Sequence, residues 1–271
     1  MDILDKQEYW IAALVTGFLF FALALSLLFV YKYRTNIDPQ PFPRRIFQTW
    51  KNHTPPPNMN YWSRTWITFN PSYVYELWDD AQNRAFVVEH YPWFLPTYDG
   101  YDREIKRADS IRYMYLHKYG GIYADMDFEC LQSFEPLLRA LETECNILLG
   151  SMDSKAHLDM HSIPNALIIS KPGQDFWLSL LHKMQEVAKD SALGVEAMTG
   201  PIVLKKMVER DWFGSHGIKI VDPGHFYPIS WNVQNEERLE ALGKKNYQEL
   251  SAEMRRRYPE AYAITYWTHS W

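Results

Sequence analysis

The sequence predicts an α/β sandwich with a mostly parallel sheet, preceded by one transmembrane helix. Three observations predict it. Short runs rich in β-branched and aromatic residues alternate with helical-period stretches, the pattern of helices packed on a sheet. Trp10 to Tyr31 carry no charge, and such a stretch is long enough as a helix, at about 1.5 Å per residue, to span a bilayer core. Tyr119-Gly-Gly-Ile-Tyr-Ala-Asp-Met-Asp127 joins a Gly-Gly turn to a strand ending in two carboxylates, at the strand edge where such sheets bind ligands.

The divisions follow in order. Residues 1–9 are a short tail and 10–31 the transmembrane helix. Residues 32–43, with Pro39, Pro41 and Pro43, form a stiff stem, and 44–271 the globular domain. Trp10, Tyr31 and Tyr33 stand where interfacial aromatics belong. A cleaved signal peptide fits less well, because the preceding flank is acidic (Asp2, Asp5, Glu8) and the apolar run is too long. Lys32, Arg34, Arg44 and Arg45 follow the span, and the positive-inside rule places their side in the cytosol.

Within the domain, Arg45-Ile-Phe-Gln-Thr-Trp50 reads as the first strand, Pro55-Pro-Pro57 as a loop, and Tyr73-Val-Tyr-Glu-Leu-Trp78 as a strand. Asp79 or Asp80 caps a helix to His90, which Tyr91-Pro-Trp-Phe-Leu-Pro96 breaks. Ile105, Ala108, Ile111, Tyr115 and Leu116 stripe a helix over 102–119, and Gly120-Gly121 ends it. Further strands are expected at 146–149, 166–169 and 218–221, with helices at 175–189, 201–210 and 236–257.

Net charge is −5 and no Lys/Arg stripe occurs, which argues against a nucleic-acid partner. With 11 Trp and 18 Tyr, the chain has either an aromatic core or an aromatic-lined cleft. Cys130 and Cys145 are the two cysteines; they form no metal pattern, and a bridge between them stays open.

Strand alternation would turn Asp125 and Asp127 to one face and Met126 to the other. Two converging carboxylates make a hard-oxygen site for Mn²⁺ or Mg²⁺, an ion that phosphate oxygens then complete. That chemistry points to a metal-bound diphosphate, with a nucleotide-sugar as its carrier. Asp109 and Arg112 share one helix face, and a guanidinium fork suits diphosphate oxygens; a surface ion pair is the plainer reading.

Several ordered pieces resemble glycosyltransferase family 32, the Asp-x-Asp sugar transferases of GT-A fold. They are Arg44 to Trp50, Asn70 to Asp79, Tyr91-Pro-Trp-Phe94, Arg107 through Asp127, Thr199-Gly-Pro201 and His269-Ser-Trp271. The stretch from Tyr91 to Asp127 looks most like fungal inositol phosphoceramide mannosyltransferases and Golgi α-mannosyltransferases. The resemblance implies a membrane-anchored retaining hexosyltransferase, mannose favoured, with GDP-mannose as first donor and a UDP-hexose as second. It implies a glycan or glycolipid acceptor and a lumenal, Golgi or endomembrane domain, against the charge rule.

It also implies site roles. Asp109, Arg112, Asp125 and Asp127 are catalytic, and Asp125, Asp127 and His269 hold the metal. Ser270 and Trp271 close over the diphosphate. Trp50 stacks on the base or packs in the core. Tyr123 contacts the donor or is core, and Asn165 reaches sugar or phosphate or is a turn residue. No carboxylate stands out as a general base, which suits a same-face mechanism in which departing phosphate takes the acceptor proton. A metal-dependent phosphohydrolase and a non-catalytic sugar-binding membrane protein remain the alternatives.

Overall fold

The structure, a computed structural model, describes residues 14–25, 37–152, 162–211, 216–229 and 246–268. Eight strands are β1 (Arg45–Thr49), β2 (Val74–Trp78), β3 (Gly121–Ala124), β4 (Phe128–Cys130), β5 (Ile147–Gly150), β6 (Leu167–Ser170), β7 (Ile218–Val221) and β8 (Ala263–Thr265). The main sheet has the order β2-β1-β3-β6-β5-β7, and β4 pairs with β8 in a small second sheet. β1 runs parallel to β2 and β3, and β5 parallel to β7. β6 runs against both of its neighbours, β3 and β5. The sheet is therefore mixed but mostly parallel, as expected: β2, β1, β3, β5 and β7 share one direction and β6 runs against them. An antiparallel neighbour needs no helical crossover, which lets β6 wedge between β3 and β5.

Helices cover both faces. They are α1 (Pro57–Phe69), α2 (Asp80–His90), α3 (Leu95–Gly100), α4 (Glu104–Tyr119), α5 (Glu135–Leu141), α6 (Asp175–Val187), α7 (Val195–Met198), α8 (Pro201–Arg210), α9 (Pro223–Phe226) and α10 (Tyr247–Arg257). The strands alternate their side chains between two cores, as period-two geometry requires. Phe47, Tyr123 and Ile168 pack under α2, α4 and α6, while Ile46, Ile122 and Ile169 pack against α5 and the end of α1. A third core, with Trp62, Met126, Leu250 and Tyr266, lies where α1 and α10 meet β8.

Helix α1 follows the expected Pro55-Pro-Pro57 loop, starting at its last proline and running through a stretch with no predicted element. Proline at the first helical positions is compatible with a helix start, and Met59, Trp62, Ser63 and Trp66 recur at helical spacing on its buried face. Helix α2 begins at the Asp79 capping box as anticipated. The Gly120-Gly121 turn joins α4 to β3. Both glycines have positive φ (62° and 104°). A Cβ on Gly120 would lie 2.7 Å from the Pro172 nitrogen, and one on Gly121 2.7 Å from the Arg45 carbonyl. Only glycine lets the helix turn so sharply into the sheet.

Residues 14–25 are helical, with Leu14 72 % and Phe18 71 % exposed. Among the described residues no helix is long and apolar enough to cross a membrane; the rest of the expected span 10–31 lies outside them. Residues 236–245 of the last expected helix also lie outside. Part of the expected stem rests on the domain: the Asp38 N–H donates to Asn146 Oδ1 (2.8 Å) and Phe42 is buried in the core.

One ionic network ties this entry segment to α5. Arg44 grips both oxygens of Glu135 (2.9 and 3.0 Å), and Arg139 and the Tyr73 hydroxyl donate to the same carboxylate. The hydrogen bonds from Arg44 and then Arg139 push Glu135 down to about 2 from 4.5. A carboxylate depressed in the folded state stabilises fully above its unfolded value and loses that contribution as pH falls toward the folded one. Glu135→Gln should therefore destabilise the fold at pH 7, by about 1 kcal/mol because the group is partly exposed. The gap between wild type and variant should close between pH 4.5 and about 2 in thermal scans. An equal gap at pH 7 and pH 3 would overturn the assignment.

Candidate active site

The carboxyl ends of β3 and β5 open into a cavity of about 560 Å³. Its floor carries Asp109, Arg112, Asp125 and Asp127, with Asn165 beside them. The strand expected to end in Asp-x-Asp stops at Ala124. Asp125 to Asp127 form a turn, closed by the Phe128 N–H to the Asp125 carbonyl (3.1 Å), that leads into β4. The two carboxylates thus reach one cavity through a turn rather than through strand alternation. Met126 still faces away, 1 % exposed, in the third core.

The peptide of Asp125 is locked at both ends. Its N–H donates to the Ala166 carbonyl (2.8 Å). Its carbonyl accepts from Gln48 Nε2 (3.0 Å), and Gln48 is held in turn by the Tyr75 hydroxyl (2.8 Å). The Asp127 carboxylate accepts from the Thr268 N–H (2.9 Å).

Arg112 lies 1 % exposed on the helix above this turn. One end of its guanidinium meets Asp109 (3.1 Å) and the other Asp125 (3.1 Å). It also donates to the Asn165 carbonyl (2.7 Å), and its plane sits 4.6 Å from the Tyr123 ring centre. Burial opposes the charge on Arg112, but Asp125, Tyr123 and Asp109 outweigh it and hold its pKa above the ordinary value. Asp109 accepts from Asn165 Nδ2 (2.8 Å) and the Thr199 hydroxyl (2.7 Å).

Burial raises all three carboxyls. Asp125 is pushed up to about 7, with Arg112 pulling it down and Asp127 pushing it further up. Burial raises Asp127 against the hydrogen bonds of Thr268, and Asp109 against Arg112 and Thr199. Such a floor is short of positive charge, a condition that favours a cation.

The structure gathers Asp109, Arg112, Asp125, Asp127 and Asn165 at one cavity. Tyr123 is fully buried and reaches the site through its hydroxyl, which donates to Asp125 Oδ1 (2.8 Å). Trp50 does not line the cavity; it packs with Trp62 and Met126 in the third core. His269, Ser270 and Trp271 lie outside the described residues, as do His157 and His161. Cys130 and Cys145 are both free and buried. Arg107 is structural: it donates to the Tyr98 and Tyr101 carbonyls at the end of α3.

Sequence reasoning passed over several lining or supporting groups. Thr199 stood inside a quoted motif without a role. Gln48, Arg103, Glu196, Thr265 and Trp267 carried no signal beyond their place near predicted strand or helix ends. Trp267 takes a left-handed φ of 49°, uncommon for a bulky residue, and is held by its indole N–H to the Ile229 carbonyl (2.9 Å). Removing the central guanidinium should cost most. Arg112→Met leaves two buried carboxylates unpaired, an expected loss of about 3–5 kcal/mol and a fall in melting temperature on the order of 10 °C. A melting curve unchanged from wild type would show that the pair carries no structural weight.

Residues 56–143 match the family model described as "Glycosyltransferase sugar-binding region containing DXD motif". That stretch holds Asp109, Arg112, Asp125 and Asp127. The chain is 45 % identical over 96 residues to inositol phosphoceramide mannosyltransferase 3 of Schizosaccharomyces pombe, covering 35 % of this chain and 27 % of that protein. It is 42 % identical over 172 residues to mannosyl phosphorylinositol ceramide synthase CSH1 of Saccharomyces cerevisiae, covering 61 % of this chain and 42 % of that protein. The chain thus spans less than half the length of both. Among solved structures, the UDP-bound glycosyltransferase domain from the YGT toxin superposes with a TM-score of 0.48 at 9 % identity, over 67 % of this chain and 80 % of that domain. Through residues 56–143, then, this chain carries the sugar-binding region of the Asp-x-Asp glycosyltransferases and resembles the fungal mannosyltransferases of that type.

Proposed function

We propose that this chain is a membrane-anchored, retaining glycosyltransferase that moves a hexose, mannose first, from a nucleotide-sugar to a lipid or glycan acceptor. The observation that carries the reading is the pair Asp125 and Asp127 on the floor of a 560 Å³ cavity, inside the stretch that matches a sugar-binding region. Mannose, and an inositol phosphoceramide acceptor, come from the names of the similar fungal proteins. The exposed apolar helix at residues 14–25 supports the anchor, and the Golgi or endomembrane lumen is the side proposed.

Among the described residues no group of three His, Cys, Asp or Glu could hold a metal. Two carboxylates nevertheless suit Mn²⁺ or Mg²⁺ when phosphate oxygens supply further ligands. Asp125 and Asp127 would hold the ion, with His269 as the proposed protein ligand outside the described residues. When bound, the ion offsets the charge that develops on a departing diphosphate.

The residues divide the remaining work. Arg112 and Tyr123 hold Asp125 in place through the contacts above. Asp109, oriented by Asn165 and Thr199, presents its carboxylate to sugar hydroxyls. GDP-mannose is the first donor proposed and a UDP-hexose the second. The transfer proposed is a same-face displacement in which the leaving phosphate oxygen takes the acceptor proton; an inverted product anomer would rule it out.

Two measurements test the reading. Asp127→Asn keeps an acceptor for the Thr268 N–H but halves the charge of the pair. Nucleotide release from GDP-mannose should fall about 10²–10³-fold; unchanged release would remove Asp127 from the site, and release of inorganic phosphate from simple phosphoesters would favour a phosphohydrolase. The second is pH dependence. Asp125 binds a proton below about 7, and metal binding must displace that proton. Mn²⁺ affinity should therefore fall about tenfold per pH unit below 7 and level off above it. Calorimetric titrations at pH 6, 7 and 8 would show this; a flat profile would mean that Asp125 does not ligate the ion.

A further inference from the structure

Glu129 carries a buried carboxyl group that the site does not use. It stands on β4, two residues after Asp127, at 0 % exposure, and it is not among the residues that line the cavity. Its two oxygens join two pieces of the C-terminal segment. Ser251 of α10 donates its hydroxyl to Oε1, and the Tyr266 hydroxyl donates to Oε2 (2.5 Å). The Tyr61 hydroxyl lies 3.1 Å from Ser251 Oγ, and the Tyr266 ring stacks on Trp62 at 4.6 Å. Burying a carboxyl is costly, and a well-packed apolar side chain holds two elements together as firmly. What the carboxyl adds is a fixed register.

Register matters because β8 is three residues long, and a slip of one residue along β4 would exchange its two faces. Glu129 pairs with Ile264, so its side chain lies on the face that carries Ile264 and Tyr266 into the third core. The opposite face carries Thr265 and Trp267 to the cavity. The contact with the Asp127 turn runs on past β8. The Tyr266 N–H donates to the Asp127 carbonyl (3.2 Å), and Trp267 turns the chain through its left-handed φ of 49°. The Thr268 N–H (2.9 Å) and hydroxyl (3.4 Å) then both donate to Asp127 Oδ2. A slipped strand would bring Ile264 and the Tyr266 ring to the cavity and take the Thr268 donors away from Asp127.

We propose that Glu129 is a positioning residue for the cation site: by fixing β8 and α10 on β4 it sets Thr268 against Asp127 and so orients the Asp127 carboxylate in the cavity. This rests on the reading of Asp127 as a metal ligand. Groups that orient a ligating side chain from behind change metal affinity by about 10–100-fold when they are removed.

The test uses the full chain in neutral detergent and reads metal binding rather than turnover. Mn²⁺ is titrated by calorimetry in the presence of GDP, and backbone hydrogen exchange of residues 262–268 is followed in the metal-free protein. Tyr266→Phe removes one hydroxyl and keeps the ring on Trp62; Glu129→Gln replaces one carboxyl oxygen by an amide. Glu135→Gln, on α5 and outside the cavity lining, is the control for lost stability. Tyr266→Phe and Glu129→Gln should each weaken Mn²⁺ binding about tenfold and speed exchange in residues 262–268, whereas Glu135→Gln should match wild type in both. Where Glu129→Gln fails to fold, Tyr266→Phe decides. Wild-type Mn²⁺ affinity in Tyr266→Phe, whatever its melting temperature, would make the network structural only and overturn the proposal. An equal loss of affinity in Glu135→Gln would overturn it as well, since general loosening would then explain the effect. If wild type itself binds no Mn²⁺ in the presence of GDP, the metal reading of Asp127 fails and the proposal falls with it.

Discussion

One guanidinium between two carboxylates organises this structure. Arg112 joins helix α4, the turn after β3 and the segment around Asn165, three pieces distant in sequence. It bonds to Asp109, to Asp125 and to the Asn165 carbonyl at 2.7–3.1 Å. Taking such charges out of water is costly, and only close pairing with complete hydrogen bonding offsets that cost. The surroundings meet this condition. Thr199 and Asn165 satisfy Asp109, Tyr123 satisfies Asp125, and the Tyr123 ring lies against the guanidinium plane. The Gly120-Gly121 turn serves the same end, because it lets α4 fold back tightly enough for its buried face to lie on the strand that leads to Asp125.

The parts of this arrangement that were legible in the sequence are local. The stripe of α4, the Gly-Gly stop, the capping box at Asp79 and the strands near 45, 74, 147, 167 and 218 each depend on neighbours a few residues away. So does the spacing that sets Asp109 and Arg112 on one face. The illegible parts depend on distant partners. Whether β6 runs with or against β3 is decided by how its connections pack, and its apolar run Leu167-Ile-Ile169 suits either direction. Helix α1 went unassigned behind the Pro55-Pro-Pro57 loop, although Met59, Trp62 and Trp66 carry the helical period. The groups that steady the carboxylates, Gln48, Thr199 and Thr268, lie on other elements, and nothing in their own neighbourhoods marks them.

The aromatic residues show the same limit from another side. Trp50 and Tyr123 stand near strand ends beside the site, and composition alone suits a ring-stacking role for both. In the structure Trp50 is 6 % exposed among Met59, Trp62 and Met126. Tyr123 is wholly buried and meets the cavity only through the carboxylate it bonds. A large aromatic side chain that alternates inward from a two-sided sheet is drawn to the core by its buried area. Its distance from a ligand site along the sequence says little about which way it faces.

The charge of the floor explains why burial and function agree here. Three carboxyls, Asp109, Asp125 and Asp127, face one guanidinium within the cavity. If all were ionised the floor would hold two uncompensated negative charges at low solvent exposure, and burial holds the pKa of all three acids above the ordinary carboxylate value. Protons can relieve that excess charge, which costs the site its anionic character, or a divalent cation can, which preserves it. The cavity therefore has an anionic floor suited to a cation. A divalent cation carrying phosphate oxygens answers it, because the two carboxylates would supply the opposing charge and the phosphate the remaining oxygen ligands.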